Sequence, residues 1–291
     1  MWWAAQEEGF MPELAEVNVQ VRYLRERCVG WTIAHAGWKG KRNFKTLRAE
    51  GGDEAVEEFL RGNVITDITQ RGKLVVLRTE RGVMCSHLMF RGRWSVEGDP
   101  FISSYKHHRE PPLDRSRAFW VINPEGERLC LHTPEWMAHV EAHPKVHDPA
   151  QVEALAKLGP EALVTPETDP AFVGAGWDLK TFLAKASRSR QAIKPFLLDQ
   201  KKQAGLGNMY VCEALYTAGV DPARQAKELS DGEVERLHAA AQGVMRQAIE
   251  SDLDYDDILA IYRRERDPKG RAVEVTTIGG RDTFWVPDVQ R

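Results

Sequence analysis

The sequence predicts an α+β fold: an N-terminal helix with a two-layer β-sandwich, then a helical domain and a closing β-hairpin. Three observations predict it. Leu14, Val17, Val21, Leu24 and Cys28 recur at helical spacing, and Gly30 ends their run. Between residues 32 and 136, short apolar stretches alternate with Gly, Asp, Asn and Pro, the pattern of antiparallel strands. Past Pro149 the apolar spacing returns to that of helices.

The strands are expected around residues 64–66, 74–77, 83–85, 119–122 and 129–131, where β-branched and aromatic residues cluster. Helices are expected at 149–158, 178–186, 193–199, 209–218 and 230–252. The last begins Ser230-Asp231-Gly232-Glu233, a Ser cap with Glu three residues on. Gly279-Gly280 sits between two short polar-apolar runs and reads as a hairpin turn. The order is a lone helix, a β domain, a helical domain and a small β tail.

Composition sets limits. Of 291 residues, 42% are hydrophobic and 29% charged, an ordinary globular balance with length for one large or two modest domains. The net charge of -3 argues weakly against nucleic acid, but binding follows local charge rather than the total. No apolar run is long enough to span a membrane, and residues 1–10 lack the basic start and apolar core of a secretory signal. The 4 cysteines, Cys28, Cys85, Cys130 and Cys212, are scattered without a C-x-x-C pair. They read as reduced thiols of a cytoplasmic protein, and their spacing builds no thiolate zinc site.

Four stretches carry chemistry. Met11-Pro12-Glu13-Leu14-Ala15-Glu16-Val17 opens the first helix. Gln70-Arg71-Gly72-Lys73-Leu74 leads into a strand and is followed by Ser86-His87-Leu88-Met89-Phe90-Arg91-Gly92. Leu158-Gly159-Pro160-Glu161-Ala162-Leu163 is the third. The fourth, and most specific, runs from Ala192-Ile193-Lys194-Pro195 through Gly205-Leu206-Gly207-Asn208-Met209-Tyr210 to Glu213-Ala214-Leu215. Between residues 180 and 202 seven basic residues face one acid, Asp199, the footprint of a surface that binds a phosphate backbone.

In order and spacing this set resembles the formamidopyrimidine-DNA glycosylase/endonuclease VIII family, over nearly the whole chain from Met11. The resemblance implies a β-sandwich domain at 11–145, a helix–two-turn–helix domain at 146–258 and a finger hairpin at 259–291, after an extension at 1–10. It implies a base-excision repair glycosylase and abasic-site lyase acting on oxidised bases in damaged double-stranded DNA, working as a monomer, in the nucleoid if bacterial. In that family the amine of the N-terminal proline, here Pro12, attacks the sugar and forms an iminium. An α-amine suits this, since its reference pKa of about 7.7–8.0 leaves an unprotonated fraction near neutrality. Glu13 stands where a general acid/base would act, and Lys73 where a phosphate beside the lesion is held. Without the other motifs, Pro12-Glu13 would simply be a good helix start and Lys73 an exposed strand end.

Asn208 and Gly207, at the start of a helix, are expected to meet a phosphate, with Asn208 also capping that helix. Lys194 belongs to the same basic element. Arg281, at the hairpin tip, matches the family's phosphate-gripping arginine. His87 either orients the site or fills a polar niche. Phe90 takes the place of a side chain that fills the gap left by a flipped nucleotide.

The sequence also departs from the family. Ten residues precede Met11, and a proline inside a chain has an amide nitrogen with no nucleophilic lone pair. Translation from Met11, or removal of the extension, would restore the amine; a retained extension would leave a protein that binds damage without cutting it. The four cysteines of the family's zinc finger are replaced by Lys269, Ala272, Val286 and Val289, so no metal is expected, and the protein's own amine implies no cofactor. At residues 133–138, Glu135 stands where an arginine would read the opposite base, leaving Trp136 or Met137 to intercalate.

Overall fold

A computed structural model describes residues 11–39, 47–49, 52–99 and 114–291. Residues 1–10, the extension, lie outside the described residues. The chain divides into two compact units. The first holds the described residues up to Ala156 together with Pro166–Ala171; the second holds Lys157–Thr165 and Phe172–Arg291.

In the first unit, helix α1 (Leu14–Cys28) starts at Glu13, whose backbone N–H donates to the Glu16 carboxylate at 2.7 Å. That bond satisfies one of the donors a helix N-terminus leaves open. The expected stripe is all buried: Leu14, Val17, Val21, Leu24 and Cys28. So are Asn18 and Gln20, which join α1 to both sheets. Gln20 accepts from the backbone of Trp94 at 3.0 Å, and Asn18 donates to Gln70 at 2.9 Å.

Among the described residues, nine strands form its two sheets. β1 (His35–Trp38), β7 (Arg117–Ile122), β8 (Arg128–His132) and β6 (Arg93–Val96) make one, in that spatial order and antiparallel throughout. The other runs β2 (Leu47–Ala49), β9 (His139–Pro144), β5 (Gly82–His87), β4 (Leu74–Thr79), β3 (Ile65–Arg71). The expected antiparallel pairing holds here except at one edge, where β2 pairs with β9 in parallel. Val75, Leu77, Met84 and Val140 from this sheet, Trp94, Phe119, Val121 and Leu131 from the other, and Val17, Val21 and Leu24 of α1 share one apolar core.

A second helix, α2 (Gly52–Leu60), interrupts what the sequence suggested was continuous β structure. Val56, Phe59 and Leu60 lie three and four apart and are buried, while Glu57 and Glu58 are exposed. The run is too short for periodicity to stand out beside Gly51-Gly52. After the short α3 (Glu153–Ala156), residues 166–171 return to the edge of β3. Gln70 donates its N–H to Glu167 O at 2.7 Å and accepts from Asp169 N at 2.8 Å, a short parallel bridge.

The second unit is built from α4 (Leu179–Ala186), α5 (Ile193–Leu198), α6 (Asn208–Ala218), α7 (Asp231–Glu250) and α8 (Tyr255–Ile258), then β10 (Glu274–Ile278) and β11 (Arg281–Trp285). The capping box read at Ser230 and Glu233 is formed. Gly219 ends α6 in the left-handed conformation at φ 70°. Gly279 and Gly280 make the two-residue turn between β10 and β11 with φ 63° and 75°, values that suit glycine. Among the described residues no helix is long and apolar enough to cross a membrane.

Candidate active site and nucleic-acid interface

In the first unit the chemistry-bearing residues gather where β3 turns into β4. Arg71 pairs with Leu74, so Gly72 and Lys73 form a tight turn, with Gly72 at φ 56°. The strand register then carries position across the sheet: Leu74 faces His87 on β5, and His87 faces His139 on β9. Pro12 and Glu13 are buried just ahead of α1. One side chain joins the helix start to the turn. Gln70 donates from Nε2 to Leu14 O at 2.7 Å and to Gly72 O at 2.8 Å. Nothing in its type marked Gln70 as more than part of a motif.

His87 is neutral. Burial, then His139 and Lys73, pull its pKa down from 6.5 to about 4. Its Nδ1 accepts the Met89 N–H at 3.0 Å, which puts the ring proton on Nε2. Its ring lies parallel to that of His139 at 6.1 Å. His87 thus sits in a largely buried niche and anchors the loop that follows.

That loop holds Phe90, half-buried, between Met89 at φ 50° and Arg91 at φ 56°. Gly92 closes it, and a Cβ there would collide with the Leu88 carbonyl. Across from it, residues 133–138 turn with Trp136 at φ 54°, and Thr133 Oγ1 accepts from Met137 N and Ala138 N at 2.8 and 3.0 Å. Arg91 and Glu135 join the two loops at 3.6 Å. Left-handed non-glycine residues cost energy and persist only where the surroundings impose them. Glu135, which stands where an arginine was expected to read the opposite base, has a cationic partner in Arg91.

In the second unit, Lys194, Gly207, Asn208 and Arg281 converge. Lys194 is fully buried, and its ammonium donates to Arg281 O at 3.3 Å and Asp282 O at 3.1 Å. Burial, with Arg281 nearby, lowers its pKa from the usual lysine range. Asn208 Nδ2 donates to Asp282 O at 2.9 Å. The expected capping role is corrected: α6 begins at Asn208, with Gly207 as N-cap, so the Asn208 side chain reaches the hairpin instead of its own helix. Gly205 N–H goes to Gln200 Oε1 at 2.9 Å. Arg281 is exposed at the tip, and no described residue forms a hydrogen bond or ion pair with its guanidinium.

An apolar cluster and a carboxylate hold the tail. Cys212, Ile261 and Val286 are buried together, with Tyr262, Val273, Phe284 and Val289 against them. Asp267 accepts from Arg271 Nε at 2.6 Å, Tyr216 OH at 3.0 Å, and the backbone N–H groups of Lys269 and Arg271 at 2.9 Å. Burial pushes its carboxyl up, but Arg271 and the other donors outweigh that and hold it at about 2. Glu213, on α6, accepts from the N–H groups of Ala260, Ile261 and Tyr262 at 2.9, 3.0 and 2.7 Å. Among the described residues no group of three or more His, Cys, Asp or Glu is set to hold a metal ion.

Comparison with known proteins agrees with this arrangement. Residues 11–136 match the formamidopyrimidine-DNA glycosylase N-terminal domain, and residues 168–256 match the formamidopyrimidine-DNA glycosylase H2TH domain. A formamidopyrimidine-DNA glycosylase of Rhizorhabdus wittichii is 32% identical, covering 97% of this chain and 100% of its own length. The chain belongs to the formamidopyrimidine-DNA glycosylase family. A second relative, from Streptococcus mutans, is 30% identical over 97% of this chain and 100% of its own. Among solved structures of the family, the Lactococcus lactis enzyme non-covalently bound to DNA containing an AP site superimposes with a TM-score of 0.77. It is 25% identical and covers 96% of this chain and 99% of its own. MutM in complex with DNA containing carbocyclic 8-oxo-G gives 0.78 at 25% identity, covering 96% and 100%. The sandwich, the H2TH element and the hairpin are thus family features.

Proposed function

We propose that this protein excises oxidised bases from damaged double-stranded DNA and cleaves the abasic site left behind, using the amine of Pro12 as nucleophile. The observation that carries this reading is the single buried amide of Gln70, which ties the start of α1 to the Lys73 turn. Pro12, freed of the residues before it, attacks the sugar carbon bearing the base; the base leaves and an iminium links protein to DNA. Glu13 moves protons on and off the sugar. Lys73 holds the neighbouring phosphate, and its charge favours the unprotonated amine. Phe90 fills the gap in the duplex, with Trp136 and Met137 on the facing loop.

The second unit supplies backbone contacts. Asn208, Gly207 at the start of α6, and Arg281 bind phosphate, and the buried Lys194 holds the Arg281 hairpin at the distance this needs. The protein acts as a monomer without metal or cofactor. The family model begins at Met11, which supports a working chain that starts at Pro12.

Borohydride trapping on a duplex with an abasic site tests the reading. A chain produced from Met11 is expected to give a covalent adduct, with peptide mass placing the sugar on the Pro12 nitrogen. The unprocessed full chain is expected to bind the duplex and give none. Tight binding by both forms with no adduct from either would replace the enzyme with a damage-recognition protein.

A further inference from the structure

Gln70 is 2% exposed and every polar atom of its side chain is engaged. Nε2 donates both protons, one to Leu14 O at 2.7 Å and one to Gly72 O at 2.8 Å, and Oε1 accepts from Asn18 Nδ2 at 2.9 Å. Leu14 is two residues after Pro12, and Gly72 is one before Lys73. The amide therefore spans the chain that carries the amine and the turn that carries the ammonium.

Its own backbone is held on the other side. Gln70 N–H donates to Glu167 O, and Gln70 O accepts from Asp169 N. Asp169 is locked in turn by Arg78, at 2.8 and 2.5 Å, and by Thr69 Oγ1 at 2.6 Å. Asn18 Nδ2 reaches Glu167 Oε2 at 3.1 Å as well, so α1, β3 and the returning segment close one network.

We infer that Gln70 is a positioning residue that registers the Pro12 amine against Lys73, and so sets both the geometry of attack and the pH at which the amine is free. The inference rests on the amine reading above. The physical argument has two parts. A nucleophile displaced by about an ångström can lose roughly 100-fold in rate. A nearby ammonium also disfavours protonation of an amine, so widening that separation raises the amine's apparent pKa.

The test measures trapped adduct against time on an abasic-site duplex, from about pH 5.5 to about pH 8.5, a window that brackets the acid side of an α-amine titration. The chain is produced from Met11, with duplex affinity and Tm read in parallel. Gln70→Met keeps length and volume but removes both donors. It is expected to slow trapping roughly 10- to 100-fold and to move the acid limb of the profile to higher pH, with affinity changed by less than about twofold. Gln70→Asn, too short by one methylene to span both carbonyls, carries the same expectation where Gln70→Met does not fold. The parent's rate and acid limb in a folded variant overturn the inference. So does a rate loss that only follows the loss of folded protein with the limb unmoved, which is what a structural role alone predicts. A parent chain that binds the duplex but gives no adduct overturns the amine reading, and this inference falls with it.

Discussion

Lys73 and His87 are located by strand register, whereas Arg281 is located by side chains beneath it. In the first unit, β3, β4, β5 and β9 pair residue for residue, and an apolar core between two sheets supports them. In the second, β10 and β11 form a sheet of two strands among the described residues. Its tip is held through Lys194 and Asn208, and its base through Asp267, Glu213 and a small apolar cluster. A two-stranded hairpin is marginal alone. Buried donors to the tip carbonyls, and carboxylates that accept from the segment leading into β10, supply the hairpin's ordering.

The largest effect expected from this difference is at Lys194. Lys194→Met leaves the carbonyls of Arg281 and Asp282 without their charged donor, and should cost roughly 3 kcal/mol by chemical denaturation while weakening duplex binding. Unchanged stability would mean that the cost of burying the ammonium cancels its hydrogen bonds, and the contrast between the units would fail. Next is the pH response of the sheet end. His87 has a folded-state pKa of about 4 against an ordinary 6.5, so between these values the unfolded chain binds the extra proton. Stability should rise with pH through that window, by up to about 3 kcal/mol, and stay level above it. A His87→Gln variant should flatten that slope, and an equal slope in the variant would assign it to other groups.

Arg281→Gln separates holding from gripping. Stability should be unchanged, affinity should fall alike for all duplex sequences, and the salt dependence of binding should lose about one unit of slope. A drop in Tm would instead make Arg281 part of the hairpin's support. The smallest effect is at Tyr216→Phe, which removes one of the Asp267 donors and should cost about 1 kcal/mol, read as a shift of the unfolding midpoint.

Local rules in the sequence reached far. The α1 stripe, the Ser230 capping box, the Gly279-Gly280 turn and the placement of most strands follow from spacing and turn chemistry, which act over a few residues. Pro12, Glu13, Lys73, Asn208 and Arg281 stood out because ordered motifs flank them. Other features were illegible for physical reasons. α2 is a single short amphipathic run, and β2 pairs in parallel with a strand far along the chain. Lys194 looked like one more member of a basic patch; burial beneath the hairpin is a long-range fact. Glu135 looked misplaced until Arg91 lay beside it.

Fold class and the order of most elements were thus written in short-range patterns, since propensity, capping and turn geometry depend on neighbours in the chain. Which side chains meet was a matter of packing. Gln70 joins Leu14 to Gly72, and Lys194 joins α5 to the hairpin 87 residues later, because buried polar atoms must find partners wherever the fold brings them.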